Sequence, residues 1–232
     1  PEETMESVVE WASSDDTHIR RLASEGTRPS IPWAMKITVP YAVASKALDF
    51  LYYDTDRYVT RSVANHLNDI SKIDPLFVIN KLEKWKKAGK QVDKEMEYII
   101  QHSLRTLVKK GNLDALDFLG FKLNPDIVVE NFTLKNESIK IGDRLEFSFD
   151  IVSNDICGLV IDYTIKYPSI SRIIPSKTYK LKTIDVVEKE TYEINGRRSF
   201  KDLSTRKMRS GVHEISIQVN GVVMAALNFN LL

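Results

Sequence analysis

Cysteine is all but missing: Cys157 stands alone, so neither an internal disulfide framework nor a cysteine-built zinc site can form. Long apolar runs are missing too. Nothing approaches the roughly 18 consecutive apolar residues of a membrane-spanning helix. No charged n-region leads into an apolar stretch at the start, so no secretory signal is visible, and with the lone thiol this points to a reducing cytoplasm. The four histidines, His18, His66, His102 and His213, show no metal-ligand spacing and read as surface-helix or strand residues. A net charge of +1 is too small to announce a polyanionic partner, so an argument for one must rest on local clusters. Pro1 is not an initiator, and the chain is expected to be processed or part of a longer one. What is present, 28% charged and 43% apolar residues, is the balance of a folded globular protein.

Residues 1–124 read as helical. Apolar stripes at helical spacing run through Met5, Val8, Val9 and Ala12, then Ile19, Leu22 and Ala23, then Ala44, Ala47, Leu48 and Leu51. They continue through Val59, Val63 and Leu67 and through Leu76, Ile79, Leu82 and Trp85. Ser14-Asp15-Asp16, Asp54-Thr55-Asp56 and Asp74-Pro75 mark helix starts, and Gly111-Asn112 divides a last pair. His18-Ile19, Tyr58-Val59 and Tyr98-Ile99 recur every 40 residues, each opening a stripe, a period that predicts a HEAT-like α-α superhelix. Beyond Asn124-Pro125-Asp126 the period becomes two: Leu145 to Ile151, Leu159 to Tyr167 and Ile215 to Val219 alternate with polar residues. Asn220-Gly221 signals a tight hairpin. With shorter strands near Phe132, Tyr179 and Tyr192, about seven strands over residues 125–232 predict an immunoglobulin-like β-sandwich.

Three constellations carry possible chemistry. In RRLASEGTRPSIPWA, residues 20–34, Arg21 and Glu25 share a helix face, Gly26 suits a left-handed C-cap, and two prolines hold Arg28 and Trp33 beside the helix end. A salt bridge, a helix stop and a core tryptophan would explain the same residues. Arg57, Arg61, Asn65 and Asn68 fall on one face of a helix, which suits phosphate and sugar contacts or a plain solvated surface. Arg197, Arg198, Lys201, Arg206, Lys207 and Arg209 set six cations against Asp202 within a stretch read as a loop, where a polyanion would be felt. Cys157 reads as an inert core thiol.

RRLASEGTRPSIPWA resembles the signature of the AlkC branch of the AlkD-like DNA alkylation-repair glycosylases; RSVANHLNDI at 61–70, HSLRTLVKKG at 102–111 and LDFLGF at 116–121 resemble further family blocks in the expected order. The resemblance covers essentially the whole chain and implies helical repeats ahead of it. It implies excision of N-alkylated bases, notably 3-methyladenine and 3-methylcytosine, from double-stranded DNA held on the concave helical face. On matching positions it makes Glu25 the active-site carboxylate, surrounded by Arg21, Arg28 and Trp33, with Arg61, Asn65 and Asp69 lining the same cleft; Glu25, Trp33 and Asp69 are then the catalytic candidates, and Arg21, Arg28, Arg61 and Asn65 the residues expected to face DNA. No metal or organic cofactor is expected, because a ring-alkylated base is already a cationic leaving group, and the protein is expected to act as a monomer. The rival expectation is a non-catalytic HEAT-repeat module that binds DNA or protein, and release of a methylated base would discriminate the two.

Overall fold

The computed structural model describes residues 2–31, 40–168, 175–202 and 207–232, with the backbone alone over 2–4. Two compact units divide the chain, Pro1–Val108 and Lys109–Leu232, while the change from helix to strand comes later, between Phe118 and Ile127.

Unit one contains α1 (Glu2–Trp11), α2 (Thr17–Glu25), α3 (Tyr41–Leu51), α4 (Arg57–Ile70), α5 (Pro75–Ala88) and α6 (Asp93–Lys109), the last running one residue into unit two. The aspartates cap as expected. Asp16 accepts from the His18 N–H at 2.7 Å, Asp56 from Tyr58 at 2.8 Å and Asp74 from Phe77 at 3.0 Å, each relieving an orphan donor of the first helical turn. Gly89 ends α5 in the left-handed region at φ 61°, but Gly26 does not: it sits at φ −69°, so the expected left-handed cap is absent and the chain leaves α2 by continuing right-handed.

The stripes of α3, α5 and α6 are buried through Leu48, Leu51, Leu82, Trp85, Ile99 and Leu104. Two expectations fail locally. Ile19 and Leu22 of α2 are 39% and 51% exposed, whereas Ala23 and Ser24 are fully buried, and Leu76 of α5 is likewise exposed. Helix α4 is the opposite case. Val59, Val63, Leu67 and Ile70 are buried, and so are Thr60, Ser62, His66, Asn68 and Asp69, so a helix read as amphipathic is enclosed on almost every side. Asn68, expected beside Arg61 on a solvent face, instead donates to the Ser103 carbonyl at 2.9 Å. Polar side chains are tolerated there because neighbouring helices satisfy them.

Unit two opens with α7 (Leu113–Phe118) and continues as β1 (Ile127–Leu134), β2 (Ser138–Ile139), β3 (Arg144–Ser153), β4 (Cys157–Lys166), β5 (Ser176–Val186), β6 (Glu190–Ser199), β7 (Gly211–Val219) and β8 (Val222–Leu231). Sheet order is β1-β3-β6 against β2-β8-β7-β4-β5, antiparallel except for the short β2–β8 pairing. Inward residues of both sheets, among them Leu145, Phe147, Phe149, Ile161, Tyr163, Ile215 and Phe229, share one core, the arrangement of a sandwich. Strands β1, β5 and β6 are longer than expected. Their outward Lys, Thr and Glu residues blur the alternation that would reveal them.

Two turns meet face to face. Asn220 (φ 44°) and Gly221 (φ 83°) form the β7–β8 hairpin turn, and a Cβ on Gly221 would lie 2.1 Å from the Cα of Gly111 in the α6–α7 turn. Gly221→Ala is therefore expected to cost about 2–4 kcal/mol through strain and overlap. Gly120, also at positive φ but with nothing within 4 Å, serves as control. Its Ala variant should lose only the cost of the left-handed backbone, about 1–2 kcal/mol, and chemical-denaturation midpoints compare the two.

Candidate active site

Two polar rows face each other across α2 and α4. Spacing of four and three residues aligns Arg21, Glu25 and Arg28 along α2 and its exit turn, and aligns Ser62, His66 and Asp69 along α4. The rows are stitched by bonds between residues about 40 positions apart. Arg21 Nη1 donates to the Tyr58 carbonyl at 2.8 Å, and its guanidinium lies 4.2 Å over the Tyr58 ring. Ser62 Oγ donates to Glu25 Oε2 at 2.7 Å. Arg28 spans both rows: Nη1 meets Glu25 Oε1 at 2.5 Å, while Nε and Nη2 meet Asp69 Oδ2 at 2.9 and 2.8 Å. Lys72 holds the other Asp69 oxygen at 2.8 Å.

Glu25 therefore receives Arg28 on one oxygen, and Ser62 and the weaker 3.3 Å contact of Arg21 on the other. A carboxylate offers about four lone-pair positions, so one is left for water or a developing cation. The Glu25 side chain keeps 15% of its surface exposed, against 5% for Asp69. Glu25 is thus the carboxylate that a ligand can approach. Arg28, expected to face a nucleic acid, has its side chain 10% exposed and is engaged by carboxylates, so it works as a clamp between them.

His66 lies beneath these residues, wholly buried, and Nδ1–H donates to the Ser24 carbonyl at 3.0 Å. Its expected surface position is wrong because α4 is enclosed. Burial foremost, with the nearby Arg28 charge, pushes its pKa down to about 4. The neutral ring is stabilising above the unfolded value near 6.5, and that contribution is lost as pH falls from there toward 4. Urea melts should show the helical unit weakening by about 2–3 kcal/mol over that interval, and His66→Gln should flatten the slope.

Arg61 is exposed and Asn65 half-buried, Asn65 Oδ1 accepting from His102 Nε2 at 3.0 Å and from Arg105 Nη2 at 3.1 Å. Ser62, His66, His102 and Arg105 were not expected at the site. All four lie inside the family blocks, and only the helix packing shows what they touch. Trp33 lies outside the described residues.

The basic stretch of the second unit is not one loop. Arg197 and Arg198 belong to β6, where neighbouring side chains point to opposite faces. Arg198 lies 3.9 Å over the Tyr179 ring and donates to its hydroxyl at 2.8 Å, bracing the rim of the sandwich. Arg197 faces outward into an open groove of about 530 Å³ that Lys135, Glu146 and Asn195 also line. Arg209 is exposed, Lys207 pairs with Asp202, and Arg206 lies outside the described residues. Among the described residues no three metal-binding side chains gather, and no helix is long and apolar enough to cross a membrane.

Residues 128–232 match a family described as the C-terminal Ig-like domain of the uncharacterised protein YhaZ. Over 233 aligned residues the chain is 35% identical to the uncharacterised protein YhaZ of Bacillus subtilis (strain 168), covering 99% of this chain and 64% of that one. Its fold matches the alkylpurine DNA glycosylase AlkC of Pseudomonas fluorescens, solved bound to DNA containing an abasic site analog, with a TM-score of 0.91, 31% identity, and coverage of 100% of this chain and 65% of that one. The chain thus spans just under two thirds of each relative, with helices followed by an immunoglobulin-like domain. In sequence and in fold the chain is similar to YhaZ and to AlkC, in line with the resemblance to the AlkC branch carried by its sequence blocks.

Proposed function

We propose that this chain carries the active site of a monofunctional DNA glycosylase that removes N-alkylated bases, 3-methyladenine and 3-methylcytosine, from double-stranded DNA. The observation that carries this reading is Glu25: a carboxylate fixed by Arg28, Arg21 and Ser62, with an acceptor position still open and part of its surface exposed. The named activity of the structurally similar AlkC protein supports it.

The chemistry asks little of the protein. Alkylation at a ring nitrogen makes the base cationic, so the C1′–N bond breaks with its electron pair leaving on the base and neutralising it. The sugar becomes an oxocarbenium-like cation, water adds at C1′, and its proton passes to a base. Glu25 can stabilise the cation electrostatically and accept that proton. Arg28 and Ser62 hold the carboxylate in place, and Asp69 holds Arg28. Trp33, assigned by the resemblance alone, would press on the sugar or on the cationic base. No step calls for a metal or an organic cofactor.

We read α1–α2, α3–α4 and α5–α6 as stacked HEAT-like pairs, with residues 1–124 as the helical domain and 125–232 as the sandwich. Bonds at nearly constant separation, Ser62 to Glu25, Asn65 to His102 and Arg57 to Glu95, support that stacking. Base release from methylated duplex DNA tests the function, in this chain and in a protein carrying the additional length of its relatives. Binding without release in both would establish the non-catalytic module instead.

A further inference from the structure

Where α6 meets α4 at Asn65, one turn before Asp69, the donors outnumber the acceptors. Arg105 is half-buried, yet among the described residues no carboxylate pairs with it. Its Nη1 donates to the His102 carbonyl and its Nη2 to Asn65 Oδ1 at 3.1 Å, both neutral acceptors, which leaves three of its five N–H groups unspent. Asp69 is near enough to favour its charge, but the carboxyl oxygens of Asp69 are already taken by Arg28 and Lys72. The Asn65 oxygen is saturated by His102 and Arg105, while its amide N–H groups have no partner among the described residues. Arg61, one turn before Asn65 on α4, is exposed and likewise has no carboxylate partner there. Contrast Arg57 on the same face, which is answered by Glu95 at 2.5 Å.

A half-buried cation with only neutral acceptors is costly until an anion arrives. Planar guanidinium forks beside an amide donor match the tetrahedral oxygens of a phosphate. We propose that Arg61, Asn65 and Arg105 form a phosphate-binding site that takes one backbone phosphodiester of duplex DNA and so fixes the strand beside Glu25. The site rests on the DNA-glycosylase reading. His102 serves it as a positioning residue: its ring stacks on Tyr98 at 5.2 Å and its Nε2 orients Asn65. Burial, with the facing cations Arg105, Arg61 and Arg57, keeps that ring neutral. Its Nε2–H is spent on the Asn65 oxygen, which leaves the Asn65 amide N–H groups for the ligand.

The test is equilibrium binding of the chain to undamaged fluorescent duplex DNA between 50 and 200 mM salt, where the salt slope is expected to fall by roughly one unit for each phosphate no longer neutralised. Arg61→Ala and Arg105→Ala should each weaken binding about 5- to 20-fold, alike for unrelated sequences, and flatten the slope by about 0.9. Arg105→Lys should keep the slope while losing affinity, since it retains the charge without the fork. If Arg105→Ala does not fold, the exposed Arg61→Ala and Arg105→Lys decide. Unchanged affinity and slope in those two overturn the site while leaving the glycosylase reading intact, because undamaged DNA offers no base to release. Inorganic phosphate separates the sources. Shifts of the Asn65 side-chain amide signals with phosphate but not with DNA would make free phosphate the ligand and overturn the strand assignment, whereas shifts with both support it. If wild-type chain does not bind DNA at all, the DNA reading fails first, and absence of an inorganic-phosphate shift then removes the site as well.

Discussion

Glu25→Gln is expected to slow release of 3-methyladenine from methylated duplex DNA by about 100- to 1,000-fold while leaving binding to undamaged DNA within a few-fold. The substitution keeps the shape and one acceptor oxygen but removes the negative charge and the proton-accepting lone pair. Ser62 and one arginine can still bond the amide, so the side chain stays near its place. Asp69→Asn should affect excision less directly. It loosens Arg28, which then holds Glu25 less firmly, and melts should report that weakening. Excision by Glu25→Gln at the wild-type rate would remove this carboxylate from the mechanism, whatever the DNA affinity.

Removing the clamp should unsettle the fold itself. Arg28→Ala leaves Asp69, whose side chain is 5% exposed, with Lys72 alone, and leaves Glu25 with Ser62 and the long Arg21 contact. Breaking a buried charge pair by deleting one partner typically costs about 3–5 kcal/mol, so thermal denaturation of the variant should begin many degrees below wild type. Arg28→Lys supplies the charge but cannot reach both carboxylates at once, and should recover less than half of the stability. A cost near zero would mean that the two carboxylates do not depend on Arg28, and the bridged geometry would then be wrong.

The sequence determined more of the architecture than of the site. Aspartates at 16, 56 and 74 start helices through local hydrogen bonds, and the period-two run from Leu145 to Ile151 puts one face into a core. Such signals are written within a few residues, so they survive in a bare string. The pairing of Glu25 with Arg21 was legible for the same reason, the two being four residues apart on one helix face. Burial of His66, satisfaction of Asn68 by Ser103 and the exposure of Ile19 and Leu22 were not. Each depends on which helix lies alongside, and apolar stripes alone do not say which side is covered twice.

The cluster of arginines at 197–209 shows the same limit, since cations adjacent in sequence were separated by the pleat, one to the sandwich rim and one to the outer groove. By itself the sequence determined where helices and strands begin, the change of period and the local acid–base pairs, because those are contests between neighbouring residues and water. Only the tertiary structure decided that Arg28 spans to Asp69, that Ser62 reaches Glu25, and that the two glycine turns must touch. Those contacts join residues 37 to 110 positions apart, and at such separations it is packing between elements that brings the groups within bonding distance.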